Sequence, residues 1–337
     1  MKAYVVRQFG IDELAVTERA VPEPGPGEVL VRLRAASLNY RDLMVVSGTY
    51  NPRMKLPAVP FSDGSGEVEA VGEGVSRWKL GDRVCPIFVQ RWLDGGASVE
   101  KSRTSLGAGA QWDGVLREFG TFSEQSLVRM PEHLSFEEAA TLPCVGVTAW
   151  NALNVSGKLR AGESVLTMGT GGVSTFALQL AKLSGARVIA TTSSDSKAER
   201  LTGLGADDVI NYQSREDWDA AVLELTGKRG VDHVIEVGGS GTLNRSLNAV
   251  RHGGHVALIG ALTGPAEFNP VAVFMKSVRL KGIYVGSRQM FEDLNRAMEV
   301  GKVNPVIDRI FDFDEVKDAL RYMESGSHFG KVVVRIQ

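Results

Sequence analysis

The sequence predicts an α/β protein in which a parallel sheet, with helices on both faces, is inserted into a β-rich domain. Three observations predict it. The first ~130 residues carry short β-branched runs punctuated by Gly and Pro. From about Glu163, short apolar strands alternate with helical patterns of roughly 10–15 residues, the mark of βαβ units and a parallel sheet. The tail then returns to helix and a last strand, Lys331–Ile336, whose expected use is to complete the first domain. The expected boundaries are 1–130 and 285–337 for the β-rich domain and 131–284 for the inserted one.

In the first domain, Met1–Arg7, Val29–Ala36, Gly66–Val71 and Asp82–Ile87 read as strands. The run Pro22-Glu23-Pro24-Gly25-Pro26-Gly27 is a loop, because its prolines lack a backbone donor and its glycines permit positive φ. The Gly- and Ser-rich stretch from Gln90 to Trp112 has no period and reads as a long surface loop. In the inserted domain, the expected strands are Ser164–Met168, Arg187–Thr191, Val209–Asn211, His233–Val237, His255–Ile259 and Leu280–Tyr284. Helices are expected at Val173–Ser184, near Trp218–Thr226 and near Thr242–Val250, with Ser196 and Glu199 as a capping box opening another. In the tail, one helix near Phe291–Val300 stops at Gly301, and a second, capped by Asp314, runs to about Ser325.

Composition excludes several roles. With 337 residues, 43% of them hydrophobic, the chain has material for two domain cores. A net charge of -2 provides no footprint for nucleic acid or an anionic membrane. The N-terminus has no apolar run, so no signal peptide is expected. The longest uncharged stretch, Ser164 to Ala181, is broken by glycines and makes a poor membrane span. Cys85 and Cys144 are too few for a disulfide framework, and the expected compartment is the cytoplasm.

The chemistry begins at Gly169-Thr170-Gly171-Gly172-Val173-Ser174, after a strand and at the head of a helix. Gly169 allows the tight turn, Gly171 allows the backbone to approach a pyrophosphate, and Gly172 and Val173 open a helix whose N–H groups face the anion. Ser174 takes the place of the last fingerprint glycine and is still small. This is a Rossmann dinucleotide site. At the tip of the second strand, where an NAD site wants a carboxylate, the sequence has Thr191-Thr192-Ser193-Ser194, with no acid until Asp195. A carboxylate ~5 Å from a phosphate would cost up to roughly 3 kcal/mol at an effective dielectric of ~20. Ser193 and Ser194, with Lys197 close behind, suit the 2′-phosphate of NADP(H) instead.

These residues, taken in order, resemble the medium-chain dehydrogenase/reductases, in particular their zinc-free, quinone oxidoreductase-like branch. The match is carried by Pro26-Gly27-Glu28-Val29, Ser37-Leu38-Asn39-Tyr40-Arg41-Asp42, Gly64-Ser65-Gly66-Glu67-Val68, Gly81-Asp82-Arg83-Val84, the glycine loop, Leu204-Gly205-Ala206-Asp207 and Gly253-Gly254-His255-Val256. The resemblance implies a GroES-like catalytic domain around the Rossmann domain. It also implies further cofactor contacts at Thr148, Tyr212, Val237, Gly238, Ile259, Gly260, Tyr284 and Val285. Zinc-containing relatives hold the metal with a Cys, a His and a later Cys or Asp, and the matching positions here are Asn39, Ser62 and Cys144. One such ligand cannot make a tetrahedral zinc site. The loop from Gln90 to Glu118, which carries four cysteines in relatives with a structural zinc, has none. No metal is therefore expected.

The expected activity is hydride transfer from NADPH to a small-molecule carbonyl or quinone, the acceptor being a quinone or an α,β-unsaturated carbonyl. Tyr50 is the candidate acid, with Asn39 and Asp42 orienting the acceptor or a water. Alternatives are a dehydrogenase of simple alcohols or aldehydes and a non-enzymatic, crystallin-like NADPH-binding protein. A homodimer is implied by the resemblance.

Overall fold

Strands, numbered along the chain, arise where short β-branched runs find neighbours that bury them. β1 (Lys2–Val6) and β2 (Leu14–Glu18) form an antiparallel ribbon. β3 (Glu28–Ser37), β4 (Asp63–Val71), β5 (Arg83–Pro86), β6 (Phe119–Ser123) and β7 (Leu127–Arg129) follow. Next come β8 (Ser164–Met168), β9 (Arg187–Thr192), β10 (Asp208–Asn211), β11 (Val231–Glu236), β12 (Val250–Leu258) and β13 (Arg279–Gly282). The tail supplies β14 (Ile307–Asp312) and β15 (Lys331–Arg335). The computed structural model describes residues 1–336 apart from 110, 261, 263, 265 and 266. Among the described residues no helix is long and apolar enough to cross a membrane.

The chain divides into two compact units, one of Met1–Val147 with Val285–Gln337 and one of Thr148–Tyr284. The first boundary thus falls well past the expected residue 131, within a helical stretch over 142–156 that has two π-helical turns. In the first unit, a sheet of order β14-β15-β3-β4-β5-β7, with β6 also on β3, carries the core. The tail strand β15 runs antiparallel to β3, with Val333 opposite Ser37, and parallel to β14. Its apolar run Val332-Val333-Val334 is wholly buried, which is why the tail returns to this domain.

The second unit is a six-stranded parallel sheet of order β10-β9-β8-β11-β12-β13. The order reverses between β8 and β11, the switch point at which such sheets bind ligands beyond their C-terminal strand ends. β8 and β11 are buried along their whole length, as expected of central parallel strands covered on both faces.

The structure corrects several local expectations. The stretch from Gln90 to Trp112 contains a short helix, Val99–Ser102, and buries Trp92 and Leu106, so it is not simply a surface loop. Ser194, not Ser196, caps the helix Asp195–Gly203, its hydroxyl accepting the Lys197 N–H at 3.4 Å. Asp312 begins the turn before the last helix, with its N–H donated to Glu315 at 2.9 Å, and Asp314 lies inside that turn. The helix Arg288–Gly301 ends on Lys302 at φ 48°. Asp42 sits in a short helix, Tyr40–Val46. Tyr284 lies past the end of β13, and β12 starts earlier than expected, at Val250.

Candidate active site

The dinucleotide cradle of the second unit begins where β8 ends. Gly169, at φ 70°, turns the chain, and its N–H donates to the Thr191 carbonyl at 2.9 Å. Gly171 caps the helix Gly172–Leu183 without any side-chain cap, so the first N–H groups, those of Gly172 and Val173 among them, receive no side-chain acceptor. A Cβ built on Gly169 or Gly171 meets nothing within 4 Å. The turn is thus an open concavity lined by backbone donors at a positive helix end, which fits a pyrophosphate. Ser174 is buried, and its hydroxyl is spent on the Met168 carbonyl.

The ribose end is built by two adjacent strand tips. β9 and β10 pair in register Thr192 to Asn211, and the Tyr212 N–H donates to the Thr192 carbonyl at 2.9 Å. This brings Ser193, Tyr212 and the first turn carrying Lys197 to one corner. Ser193 is exposed, whereas the Ser194 hydroxyl is engaged in capping. Asp195, the nearest acid, accepts from the Asn211 amide at 2.7 Å. Val237 and Gly238 follow β11, and Ile259 and Gly260 follow β12. Gly260 is obligatory here, since a Cβ would lie 1.9 Å from the Val237 carbonyl oxygen. Thr148 is buried in the helix Val147–Trp150, at the start of the second unit, and Val285 belongs to the first.

Glu236 belongs with this loop and was not foreseen from the sequence. Fully buried at the end of β11, its carboxylate accepts from the Gly238 and Gly239 N–H groups at 2.8 and 2.9 Å and from the Thr242 hydroxyl at 2.7 Å. The Ser246 hydroxyl donates to it as well, so four donors converge on one carboxylate, which fixes the loop holding Val237 and Gly238. The signal was an acid at a strand tip followed by Val-Gly-Gly.

In the first unit, the Asn39 N–H donates to Asp42 at 2.8 Å, so Asp42 caps its own helix. Asp42 is fully buried, and burial pushes its carboxyl up to about 6, against the pull of Arg41. The Arg41 guanidinium lies over the rings of Tyr50 (5.0 Å) and Phe88 (4.8 Å) and donates to the Leu106 carbonyl at 2.9 Å. Tyr50 is 38% exposed. The structure therefore joins Asn39 to Asp42 directly and Tyr50 to the same helix through Arg41.

Behind this helix lies a second set that sequence reasoning missed. Asp63 accepts from the Ser62 hydroxyl at 2.9 Å and from the Cys144 N–H at 3.0 Å. The preceding Phe61 sits at φ 71°, a strained value held by Gly107 and Gly114, whose hydrogens face its backbone where a Cβ would clash. Lys331, at the head of β15, donates to the Leu38 carbonyl and, at 2.6 Å, to Asn39 Oδ1. The Asn39 amide NH2 makes no hydrogen bond in good geometry, yet it is near enough to favour the charged Asp63. Burial raises Asp63 and lowers Lys331, and each opposes the shift of the other. The Cys144 thiol is pushed up by burial and by Asp63, which suits an inert thiol.

These residues do not fit zinc. Of the three positions that the resemblance assigns to metal ligands, two carry an amide and a hydroxyl, and an ammonium is bonded to the first. Among the described residues no group of three or more His, Cys, Asp or Glu side chains is placed to hold a metal ion.

Comparisons with known proteins agree with this architecture. Residues 25–132 match the family described as Alcohol dehydrogenase GroES-like domain, and residues 172–300 the one described as Zinc-binding dehydrogenase. A zinc-type alcohol dehydrogenase-like protein of Schizosaccharomyces pombe is 42% identical over 99% of both chains. The quinone oxidoreductase of Sus scrofa is 32% identical, covering 95% of this chain and 92% of its own. The solved structure of an NAD-dependent alcohol dehydrogenase superposes with a TM-score of 0.91 at 36% identity, covering all of both chains.

Proposed function

Since the chain belongs to the medium-chain dehydrogenase/reductases of the alcohol dehydrogenase superfamily, and is thus a dinucleotide-binding oxidoreductase, we propose that it is an NADPH-dependent, zinc-independent reductase of quinones or α,β-unsaturated carbonyls. The observation that carries this reading is the ammonium of Lys331 bonded to Asn39, where a metal would need an open ligand. Reduction of a plain carbonyl builds full negative charge on oxygen, which zinc would stabilise as a Lewis acid. A conjugated acceptor spreads that charge, so hydrogen-bond donors suffice.

NADPH, when bound, supplies the hydride. The turn Gly169–Val173 and the helix behind it hold the pyrophosphate. Ser193, Ser194, Lys197 and Tyr212 take the 2′-phosphate end, and Thr148, Val237, Gly238, Ile259, Gly260, Tyr284 and Val285 complete the cofactor contacts. Tyr50 donates a hydrogen bond to the acceptor oxygen and delivers the proton. Asn39 orients the acceptor. Asp42, fully buried, acts only by capping the helix that carries Arg41. The cytoplasm is the proposed compartment. The names of the Schizosaccharomyces and NAD-dependent relatives favour a second reading, a dehydrogenase of simple alcohols using NAD.

The test is turnover with a panel of quinones, enones, aldehydes and alcohols, run with both cofactors and with metal content measured. The expected outcome is enone or quinone reduction, NADPH bound at least about tenfold tighter than NADH, and no stoichiometric zinc. A tenfold ratio corresponds to about 1.4 kcal/mol, well within reach of one phosphate contact. Lys197→Ala should erase most of that ratio. Equal cofactor affinities, or chelator-sensitive activity on simple alcohols, would favour the second reading.

A further inference from the structure

One buried charge of the first unit has no part in the proposed reaction. Lys331 is 2% exposed, and its backbone is pinned: its N–H donates to the Val306 carbonyl at 2.9 Å, and Gly330 before it, at φ 87°, has no room for a Cβ beside that same carbonyl. The side chain therefore reaches inward from a fixed point. Its ammonium donates to the Leu38 carbonyl and to Asn39 Oδ1. The charged and titratable groups that face it come from three further segments: Asp42 from the helix Tyr40–Val46, Asp63 from β4, and Cys144 from Leu142–Gly146.

An ammonium has donors only, so it can hold the Asn39 amide by its oxygen and by no other atom. This decides which way the amide is turned, with its NH2 on the Asp63 side, near enough to favour the charged carboxylate. The same charge compensates Asp63, which is buried and whose carboxylate orients the Cys144 N–H. We propose that Lys331 is the resident cation of this site. Its ammonium fills the space among Asn39, Asp63 and Cys144 with a fixed positive charge, closes that space to a metal ion, and acts as a positioning residue that turns the Asn39 amide for the acceptor. The last part rests on the reading of Asn39 as a substrate-orienting residue.

The experiment removes the ammonium and returns it from solution. Lys331→Ala leaves an uncompensated buried carboxylate, so its melting temperature should fall by about 6–10 °C. Methylammonium should restore most of the loss, while sodium at equal ionic strength and the bulkier tetramethylammonium should not. None of the three should stabilise the parent. With the best acceptor of the parent, kcat should drop by about tenfold with the NADPH KM unchanged, and methylammonium should recover it. If Lys331→Ala does not fold, the charge-balanced double variant Asp63→Asn/Lys331→Ala is read instead. It should melt near the parent yet remain about tenfold slower, because the Asn39 amide is still unheld. A single variant that melts like the parent, a rescue no better with methylammonium than with sodium, or a double variant with parental kcat would overturn the proposal. The melting experiments need no substrate. They judge Lys331 even if the parent reduces no quinone or enone, an outcome that would count against the functional reading alone.

Discussion

Tyr50 is placed by Arg41, whose guanidinium is held between two rings and a carbonyl, so the phenol is presented by a stiff support. If the phenol delivers the proton, Tyr50→Phe should lower kcat/KM on the best enone by at least about 30-fold, within the 10²–10⁴ range for a general acid, and leave NADPH affinity unchanged. A loss of less than about threefold would make Tyr50 a wall and solvent the acid. Two other residues set opposite pH slopes. Burial raises Asp42 from 3.8 to about 6, so between those values the folded state holds a proton that the unfolded state has lost, and stability falls as pH rises. Burial lowers His255 from 6.5 to about 4, so across that window the unfolded state binds the extra proton and stability falls as pH falls. The Asp42 penalty at neutral pH is on the order of 3 kcal/mol. Asp42→Asn, whose amide oxygen can still accept the Asn39 N–H, should raise the melting temperature at pH 7 and make it climb more steeply from pH 4 to 6. Identical melting profiles for variant and parent would show that the Asp42 carboxyl is not raised by burial in the folded state.

Among the elements, those legible in the sequence carry their own signal. β8, β9 and β11 are short, almost wholly buried runs built around Val, Leu and Ile, and the glycine turn after β8 announces itself by composition. The unforeseen ones depend on partners. β7 is three residues that become a strand only by pairing with β5, and the π-helical turns over 142–156 leave no periodic trace. Ser196 and Glu199 offer an equally good local pattern, so the sequence points to a cap two residues beyond the one at Ser194. Two glycines of the cradle separate folding from binding. At Gly171, with φ -74°, a Cβ enters empty space, so Gly171→Ala should keep the parental melting temperature while its methyl group obstructs the pyrophosphate. The NADPH Kd should rise by at least about tenfold, as expected when a close backbone approach is blocked. At Gly260 the Cβ would collide with the Val237 carbonyl, so Gly260→Ala should lose stability first. Fluorescence titration beside thermal unfolding separates the two, and equal behaviour of the variants would sink the distinction.

For the whole molecule, the legible part of the site is the part confined to one stretch of chain. The phosphate turn and the strand tip at Ser193 can be read locally. The Lys331 cluster cannot, since residues 39, 63, 144 and 331 span the chain and meet only because β15 pairs with β3 and the residues after β3 turn into the capped helix. Assembly is a property at this same scale. Among the described residues β13 is hydrogen-bonded to β12 alone and is the last strand of its sheet, which leaves its outer edge unpaired in a single chain. The helix Val271–Met275 just before it is apolar and open, with Phe274 65% and Met275 66% exposed. An uncovered edge beside exposed large apolar residues is a surface that a soluble chain normally covers. A second copy, meeting the first in a self-complementary way, would cover both at once. Sedimentation at micromolar concentration should therefore show a homodimer. Phe274→Glu with Met275→Glu places two like charges on each side of such an interface and should yield monomers that still bind NADPH, because the cradle between β8 and β9 is built within one chain. A monomeric parent, or a double variant that remains dimeric, would show that this face is not the one that pairs.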